Sequence, residues 1–174
     1  MPARPGATWP PWRTEVRGRS LLAGVLCGVG LAAFLDEVVF HQLLHWHHFY
    51  DRSTPDVALV SDGLFHTVGW VAVVSGLFLF ADLQRRRARD TRRVVAGVLL
   101  GWGGFQVYDG IVQHKLLGLH QIRYGVDLLP YDVVWNAAGA LGVLAGAVLL
   151  LVARSRSRSG SRTRTRPQSG SRAR

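Results

Sequence analysis

Apolar residues in this chain gather into four blocks, at 20–46, 57–83, 94–119 and 130–152, separated by short polar stretches. Each block comes close to the ~20 residues that a helix needs to cross the hydrocarbon core of a bilayer. Blocks two and four carry too few polar residues on any face for a water-facing helix, which argues against a soluble bundle. The pattern predicts an all-α membrane protein of four transmembrane helices. The first block follows Arg13, Arg17 and Arg19, as the core of a cleaved signal peptide would. No small-x-small cleavage site follows it, however, and it has a counterpart further along the chain.

That counterpart is an internal repeat. Setting 23–47 against 96–120 without a gap aligns "AGVLCGVGLAAFLDEVVFHQLLHWH" with "AGVLLGWGGFQVYDGIVQHKLLGLH", identical at twelve of twenty-five positions. Asp36 falls on Asp109, His41 on His114 and His47 on His120, so the polar residues recur with the apolar frame. "SDGLFH" at 61–66 aligns more weakly with "YDVVWN" at 131–136, pairing Asp62 with Asp132 and His66 with Asn136. Two antiparallel helical hairpins are expected, at 20–83 and 94–152. Each holds an even number of spans, so both enter the membrane in the same direction. They are expected to be parallel repeats related by a pseudo-twofold axis along the membrane normal and to form a four-helix bundle. Gly24, Gly28 and Gly30, with Gly97, Gly101 and Gly103 in the second copy, include small-xxx-small spacings that let helices one and three approach closely.

Charge refines the topology. The 174 residues carry a formal charge of +10 at a mean hydropathy of +0.14, which on a soluble surface would suggest nucleic acid as a partner. The twenty arginines are instead segregated: four in the basic segment 1–19, six in "QRRRARDTRR" at 84–93 and eight in the tail 153–174, with only Arg52 and Arg123 in the remaining loops. Positive segments resist translocation, so both termini and 84–93 are expected on the cytoplasmic side, with 47–57 and 120–130 outside. The tail, "RSRSRSGSRTRTRPQSGSRAR", lacks apolar residues and is expected to be disordered, resting against anionic membrane lipids. A second copy of the chain or a membrane-complex subunit is a further candidate partner. The lone Cys27 lies among apolar residues and reads as a small packing side chain.

Ionisable residues crowd the outer halves of these helices. Taking Trp46 as the end of helix one, Asp36 lies roughly 15 Å inside it and His41 about half as deep. Charged groups at such depth are costly and mark a functional site by default. The candidate metal ligands are Asp36, His41, His47, Asp62, His66, Asp109, His114, His120 and Asp132, with Glu37, His45, His48 and Asn136 as secondary candidates. On a regular α-helix Glu37, His41, His45 and His48 share one stripe, as do Asp62 and His66, whereas Asp36 sits about 140° around from His41. That arrangement suits a nitrogen and oxygen ligand set for a transition metal ion: copper, zinc or iron. Gly110, Gly118, Gln121 and Asn136 in the second copy replace Glu37, His45, His48 and His66. Haem fits less well beside carboxylates, although a pair such as His41 with His114 has the right residue types.

"DEVVFHQLLHWHH", "SDGLFH", "YDGIVQHKLLGLHQIR" and "YDVVWNAAG" resemble, in combination, a bacterial multi-pass membrane family catalogued as domain of unknown function 2243. The resemblance covers 20–152 and leaves out both arginine-rich ends. It implies an integral protein of a bacterial cytoplasmic membrane and brings no activity with it; the use of Arg over Lys fits a GC-rich genome. The leading expectation is a metal-binding membrane protein, in metal handling or redox-linked maturation. The alternatives are a non-catalytic subunit or scaffold whose polar contacts are structural, and a haem or proton-relay protein. No nucleophile motif, phosphate loop or HExxH occurs, so an enzyme finds support only in the cluster itself.

Overall fold

Each apolar block becomes a helix in the computed structural model of the protein, which describes residues 11–163. Helix α1, Pro11–Asp36, runs without a break into a π-helical segment, π1, Glu37–Leu43. Helix α2 spans Pro55–Arg85, and α3, Thr91–Tyr108, continues into π2, Asp109–Leu117. Helix α4 covers Leu128–Thr163. No strand occurs among the described residues. Four stretches are long and apolar enough to cross a membrane: Thr14–Leu43, Pro55–Arg85, Thr91–Leu117 and Leu129–Ala153.

Local chemistry sets the helix ends. Pro55 occupies the first turn of α2, where its missing N–H is harmless, and the Thr54 hydroxyl accepts from the Val57 N–H. The Asp90 carboxylate accepts from the Arg93 N–H at the start of α3. Helix α4 runs beyond the expected boundary at 152, because the Arg/Ser stretch that follows has no proline before Pro167. Residues 1–10 of the basic segment and 164–174 of the tail lie outside the described residues.

Packing follows the order α2, α1, α3, α4. Helix α1 packs on both α2 and α3, α3 packs on α1 and α4, and α2 does not reach α4. The four helices therefore stand in a row with α1 and α3 at its centre. Their spans are 44% and 39% buried, against 17% for each outer span. Glycines permit the central contact. A Cβ on Gly24 or Gly28 would run into the carbonyl oxygens of Val94 and Val98, and one on Gly97 or Gly101 into those of Leu21 and Val25. These contacts are reciprocal, and their ascending order shows α1 and α3 to be parallel. At the arginine-rich end, Arg19 Nη2 lies 2.9 Å from Asp82 Oδ2, tying α1 to α2.

Candidate functional site

The first surprise is helical geometry. Residues five apart on an α-helix face about 140° away from each other, whereas a π-helix, closed by i→i+5 bonds, brings them together. In π1 the Leu44 N–H donates to the Val39 carbonyl, 2.9 Å away. Asp36 Oδ2 consequently lies 3.6 Å from His41 Nε2, and Asp109 Oδ2 lies 3.0 Å from His114 Nε2 in the second copy. The expectation that Asp36 faces away from His41 is thereby corrected. The stripe of Glu37, His41, His45 and His48 does not form either, because the helix stops at Leu43. His45 sits exposed in a left-handed turn at φ 49°, and Gly118, its counterpart, adopts φ 57°. Both positions terminate their helices, so the glycine removes no ligand.

Beyond those turns the loops at 44–54 and 118–127 fold back onto the helices. His47 and His120 come from loops yet are 4% and 2% exposed, as buried as His41 at 1% and His114 at 2%. The His47 Nδ1–H donates to the Ile122 carbonyl and the His120 Nδ1–H to the Phe49 carbonyl, both at 2.9 Å. A carbonyl only accepts, so each Nδ1 carries the proton and each Nε2 presents a lone pair. Burial, then the neighbouring imidazoles, lowers the His47 pKa to about 2. Burial also lowers that of His120, to about 4, against the pull of Asp109. Both rings are therefore neutral, the state in which imidazole binds metal.

The four rings form one cluster. Centroids lie 4.6 Å apart for His41 and His47, 4.6 Å for His47 and His120, and 4.7 Å for His114 and His120. His47, His114 and His120 each offer one ligand atom within 4.8 Å of the others, and so do Asp36, His41 and His47. Nε2 of all four histidines, Asp36 Oδ1 and Asp109 Oδ2 are buried without a hydrogen-bond partner among the described residues. So many orphaned acceptors in one place are expensive unless a cation joins them. The residues present therefore fit a metal ion, with backbone carbonyls fixing two of the imidazoles from behind, as outer-shell partners of metal ligands do.

Not every expected residue joins. Asp62, 1% exposed, does: its Oδ1 lies 3.0 Å from His41 Nδ1 and its Oδ2 lies 2.6 Å from His48 Nδ1. Glu37 Oε2 lies 2.9 Å from the same His41 nitrogen. His66, expected to face the ion from a shared stripe with Asp62, packs instead 5.7 Å from the Phe34 ring. Asp132 pairs with Lys115, and Asn136 donates to the Asp132 carbonyl, so neither reaches the imidazoles. Sequence reasoning missed Gln113, 3% exposed with an unpartnered Oε1, and the Ile122 and Phe49 carbonyls. Gln113 aligns with Phe40 and thus lacked a polar counterpart; carbonyls leave no sequence signal at all.

Comparison with known proteins adds one match. The model of the family described as predicted membrane protein DUF2243 matches residues 23–153. No curated protein and no solved structure matches the chain.

Proposed function

This chain belongs to the DUF2243 family of predicted membrane proteins, and we propose that it holds a transition metal ion between its two hairpins, in metal handling or redox-linked maturation at a bacterial cytoplasmic membrane. One observation carries the reading: four buried imidazoles gather beside Asp36 and Asp109, each with an Nε2 that makes no hydrogen bond among the described residues. Zinc, copper and iron all accept imidazole with carboxylate. A purely structural cluster, as in a scaffold, would pair these ring nitrogens internally, and no Nε2 of the four makes a hydrogen bond among the described residues. Rings 4.6 to 6.3 Å apart, flanked by Phe65 and Trp135, suit an ion better than a porphyrin.

The reciprocal glycine contacts, with the exchange of His47 to Ile122 against His120 to Phe49, support reading the hairpins as repeats about a pseudo-twofold axis. The arginine distribution supports a cytoplasmic placement for both termini and an outer placement for the cluster.

Elemental analysis and an optical spectrum of detergent-purified protein test the reading, comparing wild type with a His41→Ala, His114→Ala double variant. Stoichiometric metal that the double variant loses is the expected result. A folded wild type that neither retains nor rebinds zinc, copper or iron overturns the proposal, and a Soret band redirects it to haem.

A further inference from the structure

Charge balance around the imidazoles calls for more than one divalent ion. Asp36, Glu37, Asp62 and Asp109 are each between 1% and 3% exposed. Among the described residues every ion-pair contact of these four carboxylates is with a histidine and none with Arg or Lys. Buried carboxylates without a cation are strongly unfavourable. An ion among His47, His114 and His120, beside Asp36 and Asp109, offsets two of those charges. The other two lie together on the far side of His41.

His41 Nδ1 faces Glu37 Oε2 at 2.9 Å and Asp62 Oδ1 at 3.0 Å. A ring nitrogen holds at most one proton, which cannot serve both oxygens. Asp62 takes the hydrogen bond, and Glu37 Oε2 is left buried with no hydrogen-bond partner. Glu37, His41 and Asp62 each offer a ligand atom within 4.8 Å of the others. Both carboxylates are already oriented. Gln42 Nε2 donates to Glu37 Oε1 at 2.8 Å, the Phe49 N–H donates to Asp62 Oδ1 at 2.7 Å, and Asp62 Oδ2 lies 2.6 Å from His48 Nδ1.

We propose that Glu37, Asp62 and Nδ1 of His41 form a second divalent-cation site, so that His41 is shared between two ions through its two ring nitrogens. Binding at Nδ1 displaces its proton to solvent. Two carboxylates with one imidazole make this the harder of the two sites, suited to zinc, manganese or iron(II). The inference rests on the imidazole cluster being a metal centre, because His41 Nε2 faces that cluster. The second hairpin has no equivalent: Gly110 replaces Glu37, a Cβ there would lie 2.7 Å from Asn136 Oδ1, and Asp132 is engaged by Lys115. The chain should therefore hold two ions.

The test strips the full-length protein with a chelator in detergent, reloads it with zinc and counts zinc per chain. Two ions are expected in wild type and one in Glu37→Gln, which keeps the side-chain shape, and likewise in Asp62→Asn. One zinc in wild type, unchanged in Glu37→Gln, overturns the second site and leaves the first standing. No zinc in wild type overturns both, and loss of all zinc in Glu37→Gln overturns the division into two sites. Anomalous scattering at the zinc edge from wild-type crystals needs no variant. Two peaks flanking His41 are expected, and a single peak overturns the proposal.

Discussion

The rings of His47 and His120 stack with centroids 4.6 Å apart and planes within 3° of parallel, each tethered through Nδ1 to a loop carbonyl of the opposite hairpin. Two neutral imidazoles thus clasp the hairpins together at the end that carries the buried carboxylates. The clasp is a consequence of loops folding inward, and it makes loop conformation and site geometry one property.

Acid should open this clasp. An unfolded histidine titrates near 6.5, whereas His47 and His120 are held down at about 2 and about 4. Below pH 6.5 the unfolded chain binds more protons than the folded one, so the stability from these groups is complete above 6.5. It is lost as pH falls, toward 4 for His120 and toward 2 for His47. Each depressed histidine contributes a slope of about 1.4 kcal/mol per pH unit. The metal-free protein should lose Tm steadily from pH 6.5 to 4.5 in detergent, and His120→Gln should flatten that dependence. A Tm constant across the range would contradict the buried neutral state.

Gly24, Gly28, Gly97 and Gly101, where α1 meets α3, should tolerate no side chain. Gly24→Leu or Gly97→Leu would push α1 off α3, since the clash is with backbone and no neighbouring side chain can rotate away. Overpacking of this kind costs about 1–3 kcal/mol where some relaxation is possible, and the folded yield and Tm should fall accordingly. Gly63→Ala, which meets nothing within 4 Å, serves as the control and should leave both unchanged.

The same two helices show what could be read from the chain. Four spans and the Asp36/Asp109, His41/His114 and His47/His120 pairings follow from apolar block lengths and from aligning 23–47 with 96–120. The glycines announce the close approach of α1 and α3; the row arrangement was hidden because nothing in the apolar blocks says that α2 and α4 stay apart on either side of that pair. Helical phase was the larger error. An α-helical wheel places Asp36 away from His41, and only the π segment reverses that. The five-residue spacing shared by Asp36 with His41 and Asp109 with His114 was the available clue: on an α-helix neither pair can cooperate.

Orientation can be read with single cysteines in a Cys27→Ala background. Asp56 is exposed at the loop end near the cluster and Arg92 at the arginine-rich end. With the arginine-rich turns cytoplasmic, Asp56→Cys should react with a membrane-impermeant maleimide in intact cells, and Arg92→Cys only after the membrane is breached. The opposite pattern would place the cluster on the cytoplasmic side.

Asparagine at Asp36 separates a metal centre from a structural ion pair by the sign of its effect. If the carboxylate holds His41 through charge alone, Asp36→Asn breaks a buried pair and destabilises the protein by about 3–5 kcal/mol under all conditions. As a metal ligand it behaves differently. In metal-free protein it is a buried acid crowded by Glu37, Asp62 and Asp109, all within 3% exposure, and replacing it by a neutral amide should raise Tm. In zinc-loaded protein the same change removes a ligand. A tenfold to hundredfold weaker affinity then subtracts about 1.4–2.7 kcal/mol of the stability that binding adds. Unfolding scans of wild type and Asp36→Asn, each with zinc and with chelator, should therefore cross: the variant more stable without metal and less stable with it. Parallel shifts in the same direction would assign Asp36 to structure and remove it from the ligand set.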